Sequence, residues 1–368
     1  MNAEEKVLLS LHLIPKIGDM TIKSLISYCG SAQAVLALPQ SKLLKIPGIG
    51  QKTIDSIKSR KINDYAEQEF ARAEKQGARI ISYLAKDYPF RLKQIPDAPV
   101  LLYAKGQFPI DKKQPTVAIV GTRNATSYGK KLTEDIVEKL SPLKPIILSG
   151  LAYGIDIHAH RAALKHQLTT YAVMGSGLDV IYPAIHKSTA LEMQKNGGII
   201  TEQAFGSKPD AFNFPARNRI IAGMADLVIV VEAAKKGGAL ITAELANSYD
   251  REVAAFPGRI GDTYSEGCNK LIKQHKAHLV ETADDVLYIM NWELENQASI
   301  KQKVLELSSL TPEEQQVVNT LLQNNKELPI DILSIKSQIS LNQLAGILLN
   351  LEMQGVIKSL PGKRYLVA

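Results

Sequence analysis

The sequence has few of the residues that build disulfide-linked domains, metal sites or membrane spans. Only two of its 368 residues are cysteines, Cys29 and Cys268, and these cannot by themselves form a disulfide framework or a four-ligand zinc site. No apolar run approaches the roughly 18 residues of a membrane-spanning helix. Acidic residues precede the first apolar run at the N-terminus, so we expect no signal peptide. We therefore expect a cytoplasmic protein with no membrane contact.

Three motifs of nucleotide and metal chemistry are also missing. Seven residues separate Gly121 from the Gly129-Lys130 pair, where a P-loop has four. The first predicted parallel strand is not followed by the GxGxxG pattern of dinucleotide-binding folds. His158 and His160 are two residues apart, which places them on different faces of a helix. We therefore expect neither ATP hydrolysis nor hydride transfer, and neither a cofactor nor a metal.

Length and composition are those of an ordinary globular protein with several domains. Hydrophobic residues make up 45% of the chain and charged residues 22%, which is close to the globular average. A chain of 368 residues exceeds one hydrophobic core and suits two or three domains. The net charge of +7 favours a polyanionic partner, although a basic composition alone is equally compatible with none.

Residues 1–64 predict a small helical domain built around two similar turns. Residues 13–18 and 44–50 each place a proline and a glycine before a predicted helix, beginning near Thr21 and Lys52. Free backbone amides at such helix starts can hold a phosphate. The second turn resembles that of DNA-binding helix-hairpin-helix domains, so we assign a helix-hairpin-helix/SAM-like domain. A packing module that has lost DNA contact is an equal alternative.

The central part of the chain alternates short apolar runs with segments of helical length. The runs are residues 116–120, 145–148, 171–174, 198–200, 227–231 and 252–256. Runs of this kind suit strands buried on both faces, and alternation with helices gives βαβ units. We predict an α/β fold with a doubly wound, parallel, Rossmann-like sheet in a domain spanning residues 65–290. Residues 79–84 predict a further strand, and the proline-rich residues 89–115 a connector.

The C-terminal part predicts a winged helix at residues 310–368, after a connector at residues 291–309. Thr311 and Glu314 have the spacing of a capping box, with Pro312 at the first helical position. The predicted elements are helices 313–322, 330–337 and 341–354, followed by a two-stranded wing at 356–367 that turns at Pro361-Gly362.

Glycines are frequent at the predicted carboxyl ends of the parallel strands, the edge where such sheets bind ligands. The candidate residues there are Gly121, Ser149, Gly150, Gly154, Gly175 and Gly177. Glycine leaves neighbouring backbone amides accessible, so this edge predicts an anion-binding groove. The alternative is that tight strand-to-helix turns require glycine in any case.

Cationic and aromatic residues occur at the same edge. Arg123 and Lys130 follow the first strand, and a segment predicted to be a loop before the strand at 227 adds further candidates, Phe212, Phe214, Arg217, Asn218 and Arg219. Guanidinium groups bind phosphates and aromatic rings stack on bases. In the alternative interpretation, the two phenylalanines belong to the core and the arginines pair with Glu202 or Asp226.

Several of these segments together resemble the DNA processing protein A family (DprA, also called Smf). They are residues 117–123, 127–129, 149–156, 177–183, 214–221 and 267–272. The resemblance extends over the whole chain, including the helical N-terminal and winged C-terminal domains.

The resemblance implies a protein of natural transformation and recombination. Such a protein binds incoming single-stranded DNA, protects it and helps to load the RecA recombinase, and it is not an enzyme. The Rossmann-like domain of the family binds the DNA and commonly forms a homodimer. Its Gly-x-Arg arginine corresponds to Arg123, and its Arg-Asn-Arg segment corresponds to Arg217, Asn218 and Arg219.

Two features depart from the family or from a DNA-reading design. Many members have a basic residue directly after the Tyr-Pro at 182–183, where this chain has Ala184; Lys187 is the candidate replacement. The predicted recognition helix has no Lys or Arg between Ile339 and Ile357. Because a helix in a major groove normally carries basic or amide side chains, we expect this domain to contact mainly protein.

Two other functions remain open from the sequence. Residues 237–244 approach the glycine-rich signature of nucleotide-processing hydrolases of the lysine-decarboxylase-like Rossmann group, and Glu202, Asp226, Glu232 and Glu244 could supply paired carboxylates. Alternatively, these acids cap helices or pair with arginines. The third possibility is a scaffold that binds protein and contacts DNA only incidentally.

Overall fold

The computed structural model describes residues 2–15, 17–58, 61–108, 110–111, 113–293, 310–323, 327–360 and 363–367. The chain divides into two compact units, residues 1–293 and residues 294–368. Within the predicted connector at 291–309, residues 294–309 lie outside the described ranges, as does the predicted Pro361-Gly362 turn.

The first unit begins with short helices. They are α1 (Ala3–His12), α2 (Asp19–Cys29), α3 (Ala32–Ala37), α4 (Gln40–Leu43), α5 (Gln51–Ile57) and the longer α6 (Lys61–Lys75). Both predicted turns are present, since α2 follows Gly18 and α5 follows Gly50. Isoleucines of these turns, such as Ile14 and Ile46, are buried in a core that also contains Tyr103 and Phe205. The helical module is therefore packed directly against the following sheet.

A nine-stranded sheet forms the centre of the first unit. Its strands are β1 (Arg79–Ser82), β2 (Leu101–Gly106), β3 (Thr116–Val120), β4 (Ile146–Ser149), β5 (Thr170–Val173), β6 (Gly197–Thr201), β7 (Leu227–Val230), β8 (Glu252–Ala255) and β9 (His278–Leu279). The order is β1-β2-β6-β5-β4-β3-β7-β8-β9. In this spatial order, the seven strands β6, β5, β4, β3, β7, β8 and β9 are parallel to one another. At one edge, β2 pairs antiparallel with β6, and β1 pairs antiparallel with β2. The predicted parallel sheet and its six strands are confirmed.

Helices cover both faces of the sheet. They are α7 (Phe90–Lys93), α8 (Ser127–Leu140), α9 (Ile155–Lys165), α10 (Lys187–Met193), α11 (Asn213–Met224), α12 (Gly238–Ser248), α13 (Glu266–Lys273) and α14 (Ala283–Met290). Alternate residues of β3 face opposite cores, with Val117 packed among residues of α8 and α9 and Ala118 among residues of α11 and α12. This alternation explains why each parallel strand is apolar throughout.

Two segments differ from the sequence prediction. The proline-rich stretch 89–115 contains β2, whose residues Leu101–Ala104 are buried, so it is not merely a connector. The predicted loop before β7 is helix α11. Pro215 is compatible with that helix because it lies in the first turn, where the missing amide hydrogen has no intrahelical partner.

The second unit contains α15 (Pro312–Gln323), β10 (Glu327–Pro329), α16 (Ile330–Ser337), α17 (Leu341–Met353), β11 (Ile357–Leu360) and β12 (Arg364–Val367). The predicted capping box is present: the amide of Thr311 donates to Glu314 and the amide of Glu314 donates to the Thr311 hydroxyl. Strand β10, which was not predicted, pairs with β12 beside the two wing strands. The predicted winged helix is confirmed.

One bent pair of helices is a candidate membrane span by length and composition. Within the described ranges, no single helix is both long and apolar enough to cross a bilayer. By length and composition alone, α16 and α17 together pass the same test, but they are bent by 106°.

Candidate nucleic-acid interface

A large cleft of about 960 Å³ opens at the carboxyl edge of the sheet. It lies among the loops that follow β3, β4 and β7, together with α11 and α12. Its lining includes Gly121, Thr122, Arg123, Asp156, Tyr182, Phe214, Arg217, Asn218, Lys235, Lys236, Gly237, Gly238, Glu244 and Lys270. The structure thus brings together predicted residues from two separate segments of the sequence, Gly121 and Arg123 from the first and Phe214, Arg217 and Asn218 from the second.

Arg123, which is exposed, and Phe214, which is half-buried, lie next to each other in this cleft. The Arg123 guanidinium lies 5.6 Å from the centroid of the half-buried Phe214 ring. The Tyr182 ring also packs near the Phe214 ring, with 5.8 Å between the centroids and 42° between the ring planes. Gly175 lies beneath the ring, where a Cβ atom would approach Phe214 to 3.0 Å. A cation beside an accessible aromatic ring suits a phosphate next to a stacked base.

Arg217 lies at the floor of the cleft and is 5% exposed. Its guanidinium donates to the carbonyl oxygens of Gly150, at 2.8 Å, and Val173. Burial lowers the pKa of Arg217 to about 10, opposed by the charge of Asp156. Burial likewise raises the pKa of the Asp156 carboxyl, opposed by Arg217. Arg217 therefore remains protonated at neutral pH and supports the floor rather than the exposed wall of the cleft.

Asn218 and Arg219 contact different parts of the protein. Asn218 donates its side-chain amide to the Gly238 carbonyl at 3.2 Å and borders the cleft. Arg219 does not line the cleft: its guanidinium pairs with Glu202 and, at 3.1 Å, with Asp19. The prediction that Arg219 supplies charge to the DNA site is inconsistent with this placement, and the alternative pairing with Glu202 is the one observed.

The predicted glycines serve packing more than amide exposure. At Gly121, Gly150, Gly154 and Gly177, a Cβ atom would come within 2.6 Å of the protein's own atoms. The Gly150 amide already donates to Asp156, and the Ser149 hydroxyl is buried and donates to the Ile119 carbonyl. The prediction of an open, amide-lined groove is therefore wrong for Gly150 and Gly177, whose amides already donate to Asp156 and Ser207, whereas Gly121 does line the large cleft.

Open backbone occurs instead after β7. At Gly237 a Cβ atom would meet nothing within 4 Å, and Gly238 begins α12. Exposed Lys235 and Lys236 precede this helix start, and exposed Lys270 faces the same cleft. These three lysines were not among the sequence candidates, although the Lys-Lys-Gly-Gly order between a predicted strand and the following helix is the signal that could have identified the first two.

Three further cationic or aromatic candidates also lie outside the lining of the large cleft. Lys130 is exposed in the first turn of α8, and Lys187 is exposed at the start of α10. Phe212 is 87% exposed just before α11. Phe212 is therefore not a core residue, but only Phe214 of the two aromatics lines the cleft.

Comparison with known proteins decides the family. Residues 79–291, more than half of the chain, match the family model described as DNA recombination-mediator protein A, and residues 302–363 match the DprA winged helix domain. The chain belongs to the DNA processing protein A (DprA/Smf) family.

Relatives from distant bacteria support this membership. The DNA processing protein DprA of Bacillus subtilis is 38% identical over 253 residues, covering 67% of this chain and 85% of the relative. Protein Smf of Escherichia coli is 34% identical over 303 residues, covering 80% and 79% respectively. Members of this family therefore match both the Rossmann-like region and flanking parts of the chain.

Solved structures of two DprA proteins have the same fold. The Streptococcus pneumoniae protein superposes with a TM-score of 0.61 at 35% identity, covering 77% of this chain and 97% of that protein. The Helicobacter pylori protein, whose structure was described for its unique single-stranded DNA binding mode, gives 0.51 at 28% identity, covering 58% and 95%.

Proposed function

We propose that this chain is a non-enzymatic recombination mediator that binds single-stranded DNA along the carboxyl edge of its sheet. The observation that carries the proposal is the cleft of about 960 Å³ in which Arg123 lies beside an accessible Phe214 ring. Lys235, Lys236 and Lys270 line the same cleft and bind phosphates, while the ring stacks on a base. Lys235 also pairs with Glu266 at 3.3 Å. Family membership supports the same function.

The aromatic ring gives the site its preference for unpaired strands. A base can stack on Phe214 only if it is unstacked from the adjacent bases of its strand. In duplex DNA this also breaks its base pair, so the duplex should bind more weakly. The positive charge of the cleft exceeds its negative charge, since its lining holds two arginines and three lysines against Asp156 and Glu244. Phosphate binding is therefore favourable and independent of base sequence.

The test is the association of oligothymidylate, measured by fluorescence anisotropy across a salt series. Matched duplex DNA should bind more weakly, and the logarithm of affinity should fall by about 0.7 per phosphate contact for each tenfold rise in salt. Arg123→Glu should weaken binding at least tenfold for every sequence. Equal affinity of this variant and the unmodified protein would remove Arg123 from the site and contradict the proposal.

We further propose that the protein acts in the cytoplasm on DNA taken up in natural transformation. There it shields the strand from nucleases, forms a homodimer through its Rossmann-like domain and assists loading of RecA. Nuclease protection of bound oligonucleotide, light scattering and capture of purified RecA test these three functions separately. The scaffold alternative predicts that the Arg123→Glu variant captures RecA as well as the unmodified protein does. It also predicts that the unmodified protein captures RecA equally well with and without DNA.

The competing hydrolase hypothesis requires convergent carboxylates, and the four candidate acids are dispersed. Glu202 is paired with Arg219, and Glu232 accepts hydrogen bonds from the amide and hydroxyl of Thr126. Asp226 precedes β7 at the opposite, amino edge of the sheet, leaving Glu244 in the large cleft. We therefore expect no base release from nucleoside monophosphates, as followed by chromatography; release would support the hydrolase.

A further inference from the structure

A small cleft of about 280 Å³ adjoins the large cleft, and Arg123 lines both. Its ionisable and aromatic lining consists of Arg123, Lys130, Tyr153, His158, Arg161 and His186. No acidic side chain belongs to this lining within the described ranges. The small cleft is therefore a concave surface with charge of one sign.

The fold places these residues together through a close contact at Gly154. This residue has a φ of 76°, and a Cβ atom there would lie 2.1 Å from the Thr122 carbonyl oxygen. The next amide, of Ile155, donates to the same carbonyl at 3.2 Å. The loop that carries Arg123 is thereby held against the first turn of α9. Farther along the same helix, His158 and Arg161 line the small cleft.

The packing of α8 against α9 provides an internal comparison. Farther from the loop, Glu134 of α8 pairs with Lys165 of α9. One turn closer to the loop, the corresponding residues are Lys130 and Arg161, which are both cationic and exposed. Neither makes an ion pair within the described part of the chain. Opposite charges thus pair at one level of this helix pair, and one turn closer to the loop two positive charges line the same small cleft.

The electrostatic consequence is evident at His158. Burial lowers the pKa of the half-buried imidazole, and the positive charges of Lys130 and Arg161 lower it further, partly opposed by the negative charge of Glu134. Like charges that are held together without a counterion are stabilised when an anion binds between them. The concave shape of the small cleft and its positive charge therefore both favour the binding of a phosphate.

We propose that the small cleft is a second phosphate-binding subsite, in which Arg161 and Lys130 bind a phosphate of the strand that passes Arg123. This subsite rests on the proposed binding of single-stranded DNA. Tyr153 borders it, 49% exposed and edge-on to His186 at 5.2 Å. The subsite compensates for the missing basic side chain at Ala184, whereas Lys187 lines neither cleft.

The test compares Arg161→Gln with Lys165→Gln in the full-length protein. Both variants remove one positive charge from α9, but only Arg161 lines the small cleft. The salt slope is the fall in the logarithm of oligothymidylate affinity for each tenfold rise in salt, and Arg161→Gln should reduce it by about 0.7. If both proteins bind equally at 1 M salt, this difference lowers the affinity of the variant about fivefold at 0.1 M salt. Lys165→Gln should retain the slope of the unmodified protein, and Lys130→Gln should reproduce the loss from the other helix.

The outcomes separate this subsite from the function on which it rests. Equal salt slopes for Arg161→Gln and Lys165→Gln, with binding abolished by Arg123→Glu, would overturn the subsite and leave the proposed function intact. Unchanged binding by Arg123→Glu would overturn both. If inorganic phosphate raised the melting temperature of the unmodified protein but not of Arg161→Gln, while oligonucleotide slopes stayed equal, the cleft would bind a free phosphate compound and the DNA subsite would be refuted.

Discussion

At the scale of single residues, helix geometry separates neighbours that look like one motif in the sequence. An α-helix rotates by about 100° per residue, so Arg217, Asn218 and Arg219 of α11 point in different directions. Arg217 reaches the ends of β4 and β5, Asn218 reaches Gly238, and Arg219 reaches Glu202. A run of basic residues therefore does not imply that all of them contact one ligand.

The two phenylalanines offer a matched test at this scale. Phe214 lies beside Arg123 in the large cleft, whereas Phe212 is exposed outside its lining. Phe214→Ala should weaken oligothymidylate binding by about 1–3 kcal/mol, the contribution of one base stacked on an aromatic ring. Phe212→Ala should have little effect. An equal loss in both variants, measured by anisotropy, would show that the half-buried ring is not the stacking platform.

At the scale of elements, a polar cluster joins the N-terminal helices to the sheet. His12 at the end of α1 lies 3.7 Å from Asp19 of α2 and hydrogen-bonds the backbone oxygen of Glu202 at 3.1 Å. Arg219 of α11 contacts the carboxylates of both Asp19 and Glu202. These charges come from segments far apart in the sequence, so their pairing depends on how the helical module packs on the sheet.

This cluster predicts a pH dependence of stability. Burial alone lowers the pKa of His12, but the hydrogen bond and negative charge of Asp19, together with Glu202, raise it above the ordinary value. Protonated His12 therefore stabilises the fold below the unfolded-state pKa of about 6.5, and this contribution is lost as pH rises through the higher folded-state pKa. His12→Gln should accordingly destabilise the protein more at pH 6 than at pH 9.

Urea unfolding followed by Trp292 fluorescence measures this difference. Trp292 is the only tryptophan in the sequence and packs against the core of the first unit, so its emission reports on that unit. A hydrogen bond to a charged group contributes about 1.5–3 kcal/mol, which sets the scale expected at pH 6. The same loss of unfolding free energy at both pH values would exclude His12 as the titrating group.

At the scale of the whole molecule, the two units present different surfaces. The exposed side of α17 carries Leu341, Leu349 and Met353, the last of which is 82% exposed, and α16 adds Ile335 at 73%. This surface differs from the cationic clefts of the first unit and suits contact with protein, as the absence of Lys and Arg from residues 339–357 predicts.

Deletion of residues 306–368 tests this division of roles. The affinity for oligothymidylate should remain nearly unchanged, because the large and small clefts both belong to the first unit. A loss of more than tenfold, or about 1.4 kcal/mol, would assign DNA contact to the winged helix instead. The oligomeric state and the capture of RecA should be measured in parallel, because loss of a protein-binding domain would change one or both of them.

The sequence alone determined the parts of this protein that depend on local patterns. Apolar runs such as Leu227–Val230 identify strands because both faces of each strand are buried, and the spacing of Thr311 and Glu314 identifies a helix start. The candidate importance of Arg123 also followed from its position directly after a strand.

Only the tertiary structure decided which polar groups remain available to a ligand. Arg217 donates to the Gly150 carbonyl, and Arg219 pairs with residues contributed by α2 and the end of β6. Conversely, Lys270 and Arg161 reach the clefts from helices distant in the chain. The physical reason is that burial and ion pairing depend on contacts between segments far apart in sequence, which local periodicity does not encode.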